Sequence, residues 1–173
     1  HQHSDLRRQR QMCIRDRQDD FPLLDSTYYG SLNRNVDVLP KPFRAKIPLL
    51  MTGYSQQTME WNVENADGWM SYPRDVFNQK QHIQQWREMI DERGLIAKPF
   101  MQPLYVDLHE DDNFRPQPIH LGFRIGVNHL VAYFETLRNI GVNHVAVNLR
   151  FNKMKVNKTM EKVAAKVLPF FHN

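Results

Sequence analysis

A single cysteine, Cys13, occurs among the 173 residues. That excludes an intrachain disulfide framework and any zinc or iron–sulfur site built from several cysteines. No stretch approaches the roughly 20 apolar residues of a membrane span, and the N-terminus has no apolar signal core. These absences predict a cytoplasmic protein with no membrane partner. Only seven residues are glycine, which excludes a collagen-like repeat. With 41% hydrophobic and 24% charged residues the chain is not a disordered one either. It is also shorter than a typical (β/α)8 barrel, which needs about 250 residues.

The formal net charge is +4, but it is unevenly placed. Residues 1–17 hold five arginines and two aspartates, so three of the four positive charges sit there. A basic tail can signal nucleic-acid binding. Beyond it the charges nearly balance, and no nucleic-acid partner is expected. The tail has neither helical nor strand periodicity. Its segment Met12-Cys-Ile-Arg-Asp-Arg17 matches a translated frame of a common transposon-end sequencing adapter, ATG TGT ATA AGA GAC AGN. The expectation is a non-native tail over 1–17 and a folded segment over 18–173; the alternative is a disordered basic arm.

Residues 18–46 are rich in turn formers and read as an irregular lead-in. Ile47–Thr52 is a short apolar run of the kind found in strands buried on both faces. Ser55 is a favoured N-cap and predicts a helix to about Ala66, with Thr58 and Glu60 in its first turns. A second strand is expected over Gly68–Tyr72, stopped by Pro73. The next helix, about 78–93, has Ile83, Trp86 and Ile90 as its apolar stripe and Gly94 as terminator. A third strand spans Met101–Leu108 and ends in the polar run His109–Asn113. After a proline-rich stretch come a helix near 127–139, a strand at His144–Leu149, and a last helix near 157–168 burying Met160, Val163, Ala164 and Val167. No shorter internal repeat is visible. Strands alternating with helices require a parallel sheet with right-handed crossovers. Four such units make half of a (β/α)8 barrel; an open four-stranded sheet is the competing geometry.

Four motifs occur in order: Ile47-Pro-Leu-Leu-Met-Thr-Gly-Tyr-Ser-Gln-Gln-Thr-Met-Glu-Trp61, Ala66-Asp-Gly-Trp-Met-Ser-Tyr-Pro-Arg74, Leu121-Gly-Phe-Arg124 and Gly141-Val-Asn-His-Val145. Together they resemble the bacterial luciferase-like family of flavin-dependent monooxygenases and oxidoreductases. The resemblance covers about residues 18–173. It implies an α/β fold, the second half (strands five to eight) of a (β/α)8 TIM barrel, with strands one to four missing. It also implies an enzyme using reduced FMN and oxygen on a small organic substrate, the fragment itself being inactive. The alternatives are a deazaflavin-dependent reductase of the same fold, or a non-catalytic half-barrel that pairs with another chain or as a homodimer.

In a barrel, chemistry gathers at the C-terminal ends of the strands. The resemblance implies flavin-phosphate contacts from Ser55 and Thr58, with backbone N–H groups of Gln56 and Gln57 adding donors at a helix N-terminus. Met70, Ser71 and Tyr72 would meet the isoalloxazine ring, and Arg74 an anionic group. Ser55 as a simple helix cap and Tyr72 as a rim aromatic are the plainer readings. No catalytic acid or base is assigned. Asp107 and His109 share a strand face if the strand persists that far, which could suit acid–base or metal chemistry. A polar loop is the commoner use of such residues. His120, His129 and His144 form no zinc motif, and no metal is expected. Trp61, Trp69 and Trp86 read as packing residues. Lys153, Lys155, Lys158 and Lys162 read as a solvated face.

Overall fold

The computed structural model describes residues 24–26, 30–32, 40, 43, 48–54 and 57–171. The tail at 1–17 lies outside them, as do Ser55 and Gln56. The chain divides into two units, 1–48 and 49–173. In the first, β1 (Leu24–Ser26) pairs antiparallel with β2 (Gly30–Leu32), Leu24 opposite Leu32. The lead-in therefore carries a short hairpin that the turn-rich composition concealed.

The second unit runs β3 (Leu50–Thr52), α1 (Met59–Asn65), β4 (Gly68–Met70), α2 (Val76–Glu92), β5 (Phe100–Leu108), β6 (Gln117–Ile119), β7 (Gly122–Ile125), α3 (Val127–Ile140), β8 (His144–Asn148) and α4 (Val156–Lys166). A 3-10 turn, Leu168–Phe170, follows. The expected βαβαβαβα order is present, with one addition. The proline-rich stretch forms the antiparallel hairpin β6–β7. The first helix begins at Met59 with Thr58 as its N-cap, so the cap is Thr58 rather than the expected Ser55.

β3, β4, β5 and β8 are parallel neighbours in chain order, and β7 also runs parallel to β5. The central strand β5 is long enough to serve three partners. The carbonyls of Pro99 and Met101 accept from Trp69 and Ser71 on the β4 side. Higher up, Tyr105 N–H donates to Leu121 and His109 N–H to Ile125, so the hairpin takes over that same edge where β4 ends. Even-numbered groups turn the other way, as Phe100 O does toward Asn143 N–H.

Alternation along the strands sorts side chains onto two faces. Trp69, Phe100, Leu104, Val106, Leu108 and Ile125 face the helices and join two core clusters. Ile83, Trp86 and Ile90 of α2 and Leu130 and Leu137 of α3 complete them, each 2% exposed or less. Burial of such side chains contributes about 1.5–3 kcal/mol apiece. Leu50, Met70, Met101, Pro103 and Tyr105 occupy the opposite, open face, followed by Asp107 and Arg124 toward the C-terminal end.

The last helix departs from expectation. Met160 and Ala164 are exposed, and Thr159 is the fully buried residue. The cause is polar: Asn152 Nδ2 donates to Thr159 Oγ1 at 2.9 Å while Asn152 Oδ1 accepts from Leu108 N–H at 3.1 Å. This link between β5 and α4 sets the helix rotation. No helix among the described residues is long and apolar enough to cross a membrane.

Candidate functional site at the C-terminal ends of the strands

The motif Ala66-Asp-Gly-Trp69 leads into β4 from the opposite end of the strands and reaches this end through the Trp69 indole. Asp67 Oδ2 accepts from Leu49 N–H at 2.8 Å, which fixes the start of β3. Gly68 sits where a Cβ would lie 2.9 Å from both Leu50 Cδ2 and Pro99 Cγ. Trp69 is fully buried, and its Nε1 donates to Gly53 O at 2.5 Å. Gly53, at φ +57°, turns the chain out of β3 in a conformation that suits glycine.

The turn then reaches Gln57 and Thr58. Gln57 N–H is committed to Tyr54 O at 2.7 Å, which leaves its half-buried side chain for other contacts. Thr58 is exposed, and its hydroxyl accepts from Trp61 N–H at 3.2 Å. Glu60 folds back on this same helix start. A hydrogen bond from its own backbone N–H, and then one from the Thr58 hydroxyl, hold its carboxyl below the usual range. The exposed Glu60 carboxylate thus lies near this helix start. Ser55 and Gln56 lie outside the described residues.

At the end of β4, Met70 is half-buried and Tyr72 is exposed on the open face. Ser71 turns the other way. It is buried, its N–H donates to Met101 O, and its hydroxyl accepts from Arg74 at 2.8 Å. Arg74 also donates to Tyr72 O at 3.1 Å, so it braces this strand end.

Behind Ser71, His82 of α2 was not singled out in the sequence. It is 9% exposed and lies between Trp69, Tyr54 and Phe100, with ring centroids at 4.8, 5.9 and 6.4 Å. Its Nε2 shares a 3.3 Å hydrogen bond with Tyr54 OH. Burial first, and then the Arg74 charge, push its pKa down to about 4. It is therefore neutral at pH 7. Its place beside Ile83 on the α2 stripe was the signal available.

Asp107 does reach the open face, because β5 persists to Leu108. Its Oδ1 accepts from Lys153 N–H at 3.0 Å and its Oδ2 lies 3.5 Å from Arg124 Nε. His109 does not join it. Its Nδ1 accepts from Asp111 N–H and its ring stacks on Phe114 at 3.8 Å. The acidic run and the lysine face answer each other: Lys158 pairs with Glu110 at 3.0 Å, and Lys162 with Asp112 at 2.6 Å. These lysines hold both carboxyls below their usual range. Among the described residues no three His, Cys, Asp or Glu side chains converge as a metal site. Trp69 and Trp86 are core residues, as expected, and Trp61 is half-buried.

No protein-family model and no curated protein matches the sequence. Solved structures match the fold. One is an F420-dependent secondary alcohol dehydrogenase in complex with an F420–acetone adduct, at 14% identity and a TM-score of 0.69 over 94% of this chain and 60% of that one. Another is a monooxygenase from Streptomyces bottropensis, at 12% identity and a TM-score of 0.73 over 95% of this chain and 60% of that one. This chain thus spans about 60% of the length of the solved chains it matches. Its α/β fold is similar to the folds of these two enzymes.

Proposed function

We propose that the chain is part of a flavin-dependent oxidoreductase, a luciferase-like monooxygenase acting on a small organic substrate with reduced FMN and oxygen. The observation that supports this most is the fold likeness to two oxidoreductases, a dehydrogenase and a monooxygenase. When bound, FMN would supply the redox chemistry; the protein binds and orients it and excludes water.

The residues at the strand ends would hold such a group as follows. At the start of α1 a phosphate would take the place of the exposed Glu60 carboxylate beside Thr58. Ser55 and Thr58 would offer their hydroxyls, and Gln56 and Gln57 the adjoining turn. Met70 and Tyr72, on the open face of β4, would lie against the ring, while Ser71 and Arg74 hold that strand end in place.

The dehydrogenase among the matched structures favours a second reading, in which the cofactor is a deazaflavin and the reaction a reduction. In both readings the open face belongs to a half-barrel, completed by further strands or by a second copy of the chain. Parallel strands are as a rule covered on both faces, which supports this. Fluorescence titration with FMN, riboflavin and F420 tests the proposal. FMN binding tighter than riboflavin binding supports the first reading. Preference for F420 supports the second, and binding of none of the three overturns both.

A further inference from the structure

Resting on the oxidoreductase reading above, we propose that Arg124, backed by Asp107, is a subsite for the carboxylate of a small organic substrate with an apolar body. Arg124 stands opposite Asp107 in the β5–β7 register, on the open face at the C-terminal end. An arginine beside an aspartate normally closes a two-pronged hydrogen-bonded pair. This pair does not close. Asp107 Oδ1 is taken by Lys153 N–H, and Oδ2 stays 3.5 Å from Arg124 Nε. Nε is buried and has no hydrogen-bond acceptor. No other acceptor for the guanidinium occurs among the described residues. The side chain is 33% exposed and lies 5.4 Å from the centroid of the Phe114 ring.

A guanidinium keeps its charge at any working pH and presents its donors in a fixed plane. Nε is closed off beside Asp107, but the side chain is 33% exposed, and its two Nη groups can meet the two acceptors of a carboxylate in that plane. Asp107 offsets the charge while the subsite is empty and consumes none of the donors. Next to it on the same face, the Tyr105 ring packs on Phe151 at 5.0 Å and lies 6.0 Å from the His120 ring. Phe151 is 41% exposed. These rings offer apolar surface beside the cation, which suits an organic carboxylate better than a bare anion. A phosphate shares the charge, so the test separates the two.

The test is equilibrium dialysis of the full chain with radiolabelled benzoate, with acetate and inorganic phosphate as competitors and no flavin present. Saturable benzoate binding is expected, displaced weakly by acetate and no better by phosphate. Arg124→Gln should lower benzoate affinity about ten- to a hundred-fold, the range for hydrogen bonds to a charged group. Arg124→Lys, which keeps the charge and loses the fork, should fall between. Asp107→Asn keeps an acceptor for Lys153 N–H and removes the competing charge, so affinity should rise. Absence of saturable binding overturns the proposal, as does an unchanged Arg124→Gln or phosphate displacing benzoate better than acetate. A parallel loss in Asp107→Asn and Arg124→Gln would mark a purely structural pair and overturn it too. Circular dichroism checks each variant; should Arg124→Gln fail to fold, Arg124→Lys and Asp107→Asn carry the comparison. The flavin titration stands apart, so either reading can fail without the other.

Discussion

Trp69 Nε1 and the carbonyl of Gly53 are joined by a 2.5 Å hydrogen bond that spans 16 residues and ties β4 to the turn leaving β3. The same indole lies 5.1 Å from the Trp86 ring and 5.6 Å from Phe100. One side chain therefore serves the core and the geometry of the strand end. Trp69→Phe should retain most of the packing and lose the bond. It should lower unfolding free energy by about 1–3 kcal/mol, the cost of an unsatisfied buried acceptor. Trp69→Ala should cost about 3–5 kcal/mol. Denaturant titration of the two variants would separate the polar from the packing contribution; a Trp69→Phe variant as stable as the parent would show that the hydrogen bond contributes nothing.

His82 gives the fold a pH dependence with a definite sign. Its folded pKa, about 4, lies below the ordinary 6.5. Above pH 6.5 the histidine is neutral both folded and unfolded. As pH falls from about 6.5 to about 4, the unfolded chain takes up a proton that the fold refuses, so stability declines through that window and then levels. The loss should amount to about 1–3 kcal/mol. Urea titrations across pH 7.5 to 4 should show this slope. His82→Gln should flatten it, and an undiminished slope in that variant would reject the assignment.

The helices and parallel strands were legible because their signals are local. Gly94 and Gly141 close α2 and α3 at φ +61° and +103°, and the stripe Ile83, Trp86, Ile90 is buried as its spacing requires. The β6–β7 hairpin was not, because Pro116, Pro118 and Gly122 read as breakers. Pro118 is tolerated because β6 is an edge strand. The choice between Ser55 and Thr58 as cap turned on where the helix begins, which two nearby hydroxyls cannot settle. Thr159 displaced Met160 through its bond to Asn152, a tertiary contact with no local trace. In the site, the motifs located the strand ends, but His82 and the open Asp107–Arg124 pair depend on contacts between segments distant in sequence.

Gly122 offers a control on the hairpin. A Cβ there would lie 1.8 Å from the Tyr105 carbonyl oxygen, a backbone atom that cannot swing aside. Gly122→Ala should therefore separate β7 from the upper half of β5 and leave the β4–β5 pairing intact. Hydrogen exchange should show lost protection at Tyr105 and His109, whose N–H groups bond Leu121 and Ile125. Protection at Trp69 and Ser71 should persist. Equal loss at all four sites would mean that the hairpin and the inner strands open as one unit.

The open face predicts association. Leu50 and Tyr72 are 50% and 54% exposed on it, beside the half-buried Met70. Exposed apolar sheet surface and strand edges without partners favour pairing with another chain. Sedimentation of the purified chain should find dimers or larger species. A monodisperse monomer with cooperative thermal unfolding would show that the face is stable in water.

The start of α1 yields the sharpest test of the cofactor assignment. If a phosphate binds there, it must displace the Glu60 carboxylate from the Thr58 hydroxyl and the adjoining N–H. Glu60→Gln removes the competing charge, so FMN affinity should rise several-fold. Ser55→Ala with Thr58→Ala removes hydroxyl donors, each hydrogen bond to a charged group being worth about 1.5–3 kcal/mol. FMN affinity should then drop by about a hundred-fold or more, less where backbone N–H groups dominate. Riboflavin has no phosphate and serves as the control, since neither change should move its affinity much. The capping role makes the opposite forecast. Loss of the Thr58 bond to Trp61 N–H should cost about 1 kcal/mol of stability and affect FMN and riboflavin alike. Fluorescence titration of the two ligands against both variants decides, because opposite shifts for FMN with a steady riboflavin arise only if this turn holds the phosphate.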